Sequence, residues 1–543
     1  MDSQARSLVN PTSPNSGKDP IAIVAVAAVS PIGNGAETFW RNTCGKADGI
    51  IEVPRSRWNH DLYYDPDRKA PNKTYSRLGG FVLDDGFDRR DLGVNPMDAR
   101  AMDIVIRMAL AAAYELFSQS GYLKRDFDRS RCAVILGNAK GGVGVRDNTI
   151  RQVYFHAAYD ALRRNEHFRR LAPDLQEAIL GTWPKEALAG CTPVHDGSMT
   201  GWLGNVVAGQ IARYLDLSGP SFTTHAACAS AVAALACAVD GLQRGEFDLA
   251  VSGGASSCMS PAVFVEFSKI NALSPDGSRP FDVTRNGFVM AEGAALLLLK
   301  RYHDAVRDGD RIIAVIRGIG AASDGRSKSP TAPRETGQIL AIRRALQAAG
   351  CERSGIGLVE AHGTATPVGD RTEVRSLQRV LGHPASDLPI HLTSGKSQIG
   401  HTLGAAGAFG VLRAALAIET GTIPPSIHCE RPDPVITPPF QVATEPIPWK
   451  GKGPRRALVN SFGFGGTDFS VVLEEPGPSG THVTVRADLQ QSKGNDSTPA
   501  PERGSTMNAA LRPHGSRLAF LFPGQGSQYV GMGKPLYDRY AIV

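Results

Sequence analysis

The stretch THAACASAVAALACA, from Thr224 to Ala238, places a single thiol, Cys228, at the front of a run of small residues. The pattern continues as VDGLQRG to Gly245 and predicts a helix whose small side chains let it pack closely on neighbouring backbone. A thiol at a helix N-terminus feels the positive end of the dipole, which favours the thiolate. Each unit of pKa depression is worth ~1.4 kcal/mol. Taken alone, Cys228 reads equally as one more buried cysteine. Its meaning depends on what the rest of the chain brings to it.

Around this helix, from Ile21 to about Glu475, strand-like runs alternate with helix-like runs. The strands include CAVILG (Cys132 to Gly137), DLAVSGG (Asp248 to Gly254), ALLLLK (Ala295 to Lys300), IIAVIRG (Ile312 to Gly318) and GLVEAHG (Gly357 to Gly363). The helices include Ala99 to Phe117, Glu335 to Gly350 and Ala405 to Gly421. This alternation predicts an α/β protein with buried strands. No short-period repeat is visible, and a duplication of whole halves cannot be read directly from the residues.

The chain has 543 residues, enough for a large core and more than one domain. Its composition, 42% hydrophobic and 21% charged, is that of a globular protein. A net charge of +6 without a basic block argues against nucleic acid as a partner. The eight cysteines contain no C-x-x-C pair, which argues against a zinc knuckle or redox pair and fits a reducing compartment. Apolar runs such as Ile21 to Val29 are too short to span a bilayer. Residues 1–19 read as a polar leader and 476–516 as a linker. Residues 517–543 begin a new strand, turn and helix that could not bury a core alone.

Two histidines change the reading of Cys228. EAHGTATPVGDRTE (Glu360 to Glu373) puts His362 at the C-terminal end of a buried strand, where ligand chemistry gathers in α/β folds. GKSQIGHTLGAAGA (Gly395 to Ala408) puts His401 at the start of a glycine- and alanine-rich helix, five residues after Lys396. Each histidine alone fits a structural role. One cysteine and two histidines on three glycine-rich junctions form a candidate thiol active site. NSFGFGGTDFSVVLEE (Asn460 to Glu475) reads as a hairpin whose turn brings backbone N–H groups towards a ligand, as an oxyanion hole requires. No cofactor or metal is expected.

The ordered set AACAS, EAHGTATPVGD, KSQIGHTLGAAG and FGFGGT resembles the β-ketoacyl synthase family, the condensing enzymes of polyketide and fatty-acid synthases, over roughly residues 20–475. The AACAS form and the segment Ser198 to Phe222 resemble the iterative polyunsaturated-fatty-acid and enediyne type. LAFLFPGQGSQYVGMG resembles the start of an acyltransferase domain, but no GHSxG elbow occurs, so no acyltransferase activity is expected from it.

The resemblance implies a thiolase-like fold of five αβαβα layers in two related halves, a homodimer, and a cytoplasmic multidomain synthase without membrane attachment. It implies that Cys228 takes an acyl group from the phosphopantetheine arm of an acyl carrier protein. His362 and His401 would hold the extender thioester and assist its decarboxylation. Lys396 would support them electrostatically, with Glu373 as its partner. The amides of Cys228 and Phe464 would form the oxyanion hole, and Thr364 and Thr366 would touch the pantetheine arm.

Four residues depart from the family pattern. His225 stands where an acidic residue is frequent and reads as a packing residue. Ala365 replaces a usual glycine and is expected to put a methyl group beside the substrate channel. Asp468 and Ser470 replace an amide and an imidazole and put the hairpin's hydrogen bonding in question. The stretch Thr149 to Ala189 reads as a family-specific insertion. Besides condensation, two readings stay open: a decarboxylase or acyl-transfer gate that does not elongate, and a non-catalytic docking scaffold.

Overall fold

The computed structural model describes residues 19–477, apart from 327, 328, 330, 353, 354, 383–388 and 452. The leader, linker and acyltransferase-like start lie outside the described residues, except Asp19, Pro476 and Gly477.

The strands are β1 (Ile21–Ser30), β2 (Cys132–Gly137), β3 (Ser221–Thr224), β4 (Leu249–Ser256), β5 (Gly293–Arg301), β6 (Ala314–Ser323), β7 (Leu358–Glu360), β8 (Ile390–Thr393), β9 (Phe440–Val442), β10 (Arg456–Gly463) and β11 (Thr467–Glu474). With Gly33–Asn34 hanging off β1 they make one 12-stranded sheet, ordered β9-β8-β7-β10-β11-β6-β1-β5-β4-β2-β3. The order reads as two copies of one plan. In the first half β1 pairs antiparallel with β5 and β5 with β4, while β4 to β2 and β2 to β3 are parallel. In the second half β6 pairs antiparallel with β11 and β11 with β10, while β10 to β7 and β7 to β8 are parallel. The halves meet only where Ile21–Ile23 of β1 pairs with Ala314–Ile316 of β6.

The main helices are α1 (Ile104–Gln119), α2 (Val206–Tyr214), α3 (Ser230–Gln243), α4 (Glu335–Ala349), α5 (Pro367–Leu381) and α6 (Ala406–Thr420). Helices α1 and α2 cover the outer face of the first half-sheet, and α4 and α5 that of the second. Between the half-sheets lie α3 and α6. Their Ala231, Leu235, Ala408 and Leu412 share one buried cluster with Ile135, Leu297, Leu358 and Val459 from the strands. Small residues make this middle layer possible: a Cβ on Gly407 of α6 would lie 2.5 Å from Val232 of α3. The result is five layers, helix, sheet, helix, sheet, helix, as expected.

Several boundaries differ from the sequence reading. The helix expected over Ala99 to Phe117 is broken at Asp103, whose carboxylate caps α1 by accepting from the Val105 N–H at 3.0 Å. The strand expected from Ile312 begins at Ala314 and runs on to Ser323. Leu403–Thr420 is long and apolar enough to cross a bilayer by length and composition, contrary to the expectation that no run was. It is 89% buried, because α6 is the central helix of the core. The stretch expected as an insertion forms helices Val143–Arg164 and Pro173–Ala187, mostly exposed, joined by Phe155, Tyr159 and Trp183.

Candidate active site

The duplicated plan brings the candidate residues together. Cys228 follows β3 in the first half, and Lys396 and His401 follow β8, its counterpart in the second. His362 follows β7, and Phe464 sits in the turn between β10 and β11. Cys228 and His401, 173 positions apart, converge. His401 Nε2 lies 3.2 Å from Cys228 Sγ. The two imidazoles stand edge to face with ring centroids 5.6 Å apart. Phe288 and Phe462 wall the rings on either side.

Cys228 sits on a strained bend. Ala227 adopts a φ of +48°, a left-handed conformation uncommon outside glycine. Ser230 holds the bend by accepting from the Ala226 N–H at 2.9 Å and donating to the Ala227 carbonyl at 2.6 Å. Ser461 donates to the Cys228 carbonyl at 3.1 Å. The helix proper starts at Ser230, so the thiol lies just before its first turn.

The expected thiolate is corrected. Burial pushes the Cys228 thiol up to about 11, outweighing the Lys396 charge and the Phe464 and Cys228 amides that favour the anion. At neutral pH the resting site is a thiol beside neutral imidazoles. Those same two amides, predicted as an oxyanion hole, converge on the sulfur.

Both histidines are held neutral. Burial, with the nearby Lys396 charge, pushes each well below 6.5. His362 Nδ1 accepts a long, 3.4 Å hydrogen bond from the Phe462 N–H, which leaves its proton on Nε2 as a donor. His401 stands five residues before α6 rather than at its first turn, separated by the short 3-10 segment Leu403–Ala405.

Lys396 opens the helical turn Lys396–Ile399 and is buried. Among the described residues no ion pair joins it to Glu373; the two act on each other through space. Burial lowers the Lys396 pKa, opposed through space by Glu360 first and Glu373 second. Glu373 has other work. Its carboxylate accepts from the N–H groups of His362 and Gly363, both at 2.8 Å, and from Asn460 Nδ2 at 2.9 Å. It fixes the backbone that carries His362.

A cavity of about 270 Å³ opens above these groups, lined by Cys228, His362, His401, Thr364, Thr366, Phe464 and Asp468 among others. Thr364 and Thr366 place their hydroxyls 3.2 Å apart on its wall. Ala365 is fully buried and is not among the residues that line the cavity. Its φ of +61° explains why glycine suits that position. His225 is exposed in this chain rather than packed. Ser470 is buried and donates to Asn460 Oδ1 at 2.8 Å, so it braces the Asn460–Glu373 contact. The Ser470 hydroxyl itself is thus satisfied without the usual imidazole. Among the described residues no cluster of His, Cys, Asp or Glu is arranged to hold a metal.

Sequence reasoning missed Asn460 and Ser461, although both stand in the quoted hairpin motif. It also missed Asp370, which accepts from the Phe281 N–H at 2.8 Å and is pushed up to about 7 by burial. The signal was present in HGTATPVGDRTE, where Asp370 and Glu373 recur at helical spacing on one face of α5.

Comparisons with known proteins agree with this geometry. The N-terminal domain of β-ketoacyl synthases matches residues 18–305, and the C-terminal domain matches residues 313–430. A PKS-NRPS hybrid synthetase of Aspergillus niger is 34% identical over 480 residues, covering 86% of this chain and 24% of the relative. A pikromycin polyketide synthase component of Streptomyces venezuelae is 33% identical over 596 residues, covering 96% of this chain and 15% of the relative. The chain thus spans a quarter or less of these two relatives' lengths. The oxazolomycin ketosynthase domain of Streptomyces albus superimposes with a TM-score of 0.71 at 30% identity, covering 85% of this chain and 75% of that one. The ketosynthase from module 6 of the bacillaene synthase of Bacillus subtilis gives 0.70 at 30% identity, covering 85% and 72%. The thiolase-like fold and the condensing, acyltransferase class follow, and the chain belongs to the β-ketoacyl synthase family as a ketosynthase domain of the polyketide synthase kind.

Proposed function

We propose that this domain joins a Cys228-bound acyl group to a malonyl-type extender carried on the phosphopantetheine arm of an acyl carrier protein. The observation that carries the proposal is Cys228 Sγ at 3.2 Å from His401 Nε2, with His362 beside both. In the first step Cys228 attacks the acyl thioester. The carbonyl oxygen is stabilised by the Cys228 and Phe464 amides, and the thiol's proton leaves with the pantetheine sulfur. In the second step the extender loses CO2. The enolate oxygen that forms needs donors fixed in advance, and two neutral imidazoles supply them without adding charge to a buried site. The enolate carbon then attacks the Cys228 thioester, forming the new carbon–carbon bond. Sulfur departs and takes up a proton. Lys396 sets the potential around the rings, and Thr364 and Thr366 offer hydroxyls to the pantetheine arm.

The same reading extends to the assembly. Strand β3 is the end of the sheet, with Ser221 and Phe222 exposed and one backbone edge unpaired. An open edge bearing an aromatic side chain suits pairing with a second copy, so we assign a homodimer across β3. Placement in a larger cytoplasmic synthase with a downstream acyltransferase, and kinship to the polyunsaturated-fatty-acid and enediyne type, belong to this proposal. The larger synthase is supported by the short coverage of the relatives and a reducing compartment by eight unpaired cysteines, while the acyltransferase and the subfamily rest on the sequence resemblances alone.

The test is elongation: acyl-loaded protein is mixed with malonyl carrier protein and the carrier is weighed. A β-ketoacyl carrier that forms with the wild type and not with Cys228→Ala supports condensation. Release of CO2 without elongated carrier would replace it with the decarboxylase reading.

A further inference from the structure

Asp468 and Asp324 are two cavity-wall carboxylates that the reaction scheme does not use. Asp468 is the second residue of β11, directly after the turn that carries Phe464, and Asp324 immediately follows β6, the strand beside β11. Both are buried, at 2% and 7% exposure. Their oxygens face each other across Gly337: a Cβ there would lie 2.3 Å from Asp468 Oδ2 and 2.5 Å from Asp324 Oδ1. Among the described residues neither of those two oxygens has a hydrogen-bond donor. Two buried carboxylates this close cannot both be charged, and one proton between them satisfies both orphaned oxygens.

We propose that Asp324 and Asp468 hold one shared proton that clamps the Phe464 turn to the end of β6, making Asp468 a positioning residue for the Phe464 oxyanion donor. The inference rests on the ketosynthase reading for its effect on catalysis, but the acid pair itself does not.

The backbone already brings the two segments together. The Asp324 N–H donates to the Gly466 carbonyl at 2.9 Å, within the turn. The acid pair ties the same segments by their side chains, two residues from that bond. The charged groups around it are few. Burial pushes the Asp324 carboxyl up, opposed by its hydrogen bond with Asp468 and by Arg334, before α4, which donates to the Asp324 carbonyl at 2.9 Å. Glu373 of α5 pushes Asp468 up, as do burial and Asp324 itself. On α4, Gln338 is neutral and bonded to Ser376, while Glu335 is turned to Arg379. Among the described residues nothing cationic reaches Asp468 to balance a second negative charge. Its carboxyl is pushed up to about 8, so the clamp holds at neutral pH and is lost as the pH rises through that value. The amide usual in the family at this position would bond to Asp324 at any alkaline pH. The substitution therefore makes the turn pH-sensitive.

The test measures Cys228 acylation rates by intact mass from about pH 7 to about pH 9.5 for wild type, Asp468→Asn and Asp324→Asn. Each amide variant keeps one N–H donor opposite one carboxylate. The ratio of variant to wild-type rate is expected to rise about tenfold across that range, for either variant. Urea unfolding supplies a readout independent of activity. The native pair retains a proton that the unfolded chain releases, so wild-type stability falls as the pH rises from about 4 to about 8 relative to both variants. Parallel acylation and stability profiles would overturn the proposal. So would failure of both amide variants to fold, since an amide–carboxylate bond should replace the shared proton. If Cys228 is never acylated, the ketosynthase reading fails, and the stability profiles still decide whether the acid pair exists.

Discussion

At the residue scale, the site works by keeping charge out until the reaction makes it. Cys228 is a thiol, and His362 and His401 are neutral, because burial opposes every ionised form. His401→Ala removes one enolate donor and should slow decarboxylation by about 3–4 kcal/mol, roughly two to three orders of magnitude, as measured by CO2 release. The depressed histidines also set a pH dependence. They bind protons in the unfolded chain near 6.5 but not in the native one, so stability should fall as the pH drops below 6.5, and His362→Phe should lessen that fall in urea titrations. Ala365→Gly relieves a left-handed alanine worth about 1–2 kcal/mol but loosens the unfolded chain by about 0.4–1 kcal/mol. Stability should rise by up to about 1.6 kcal/mol and the acylation rate should move by less than about twofold, since Ala365 is not among the residues that line the cavity. The residue types Cys228, His362 and His401 were legible from the sequence because each sits in a short motif. The anchoring role of Glu373 was not, because it spends its oxygens on backbone amides that no motif announces.

At the element scale, a buried ion pair holds the turn that presents Lys396. Arg413 of α6 donates to Glu360 of β7 at 2.5 Å, and Glu360 also accepts from Thr393 Oγ1 at 2.6 Å and from the Gly395 N–H at 2.7 Å. Removing the arginine strands a buried carboxylate. Arg413→Ala should cost about 3–5 kcal/mol in urea unfolding. Helices α4 and α6 were legible to within a residue because they carry long apolar periodicity without an internal cap. The break at Asp103 was not, because the same aspartate reads as a solvated helix residue until it is seen accepting from Val105, Val145 and Ser257. His401 was placed too close to α6 for a related reason: the glycine-rich run after it bends through a 3-10 turn before it becomes regular.

At the scale of the whole molecule, function follows from duplication. The two halves share strand order and pairing, and the nucleophile and its histidine partner occupy corresponding turns after β3 and β8. That symmetry was invisible in the residues, since the half-sheets share geometry rather than motifs. The layered fold itself came with the family resemblance. The open β3 edge makes a further expectation: Phe222→Asp should shift the domain from dimer to monomer in light scattering at micromolar concentration. The account's central claim is that Cys228 is the acyl acceptor. Intact-protein mass spectrometry after incubation with an acyl-pantetheine thioester tests it most directly. The account predicts one acyl adduct on the wild type and none on Cys228→Ala. An adduct that persists in the variant, or none on a folded wild-type dimer, would contradict it.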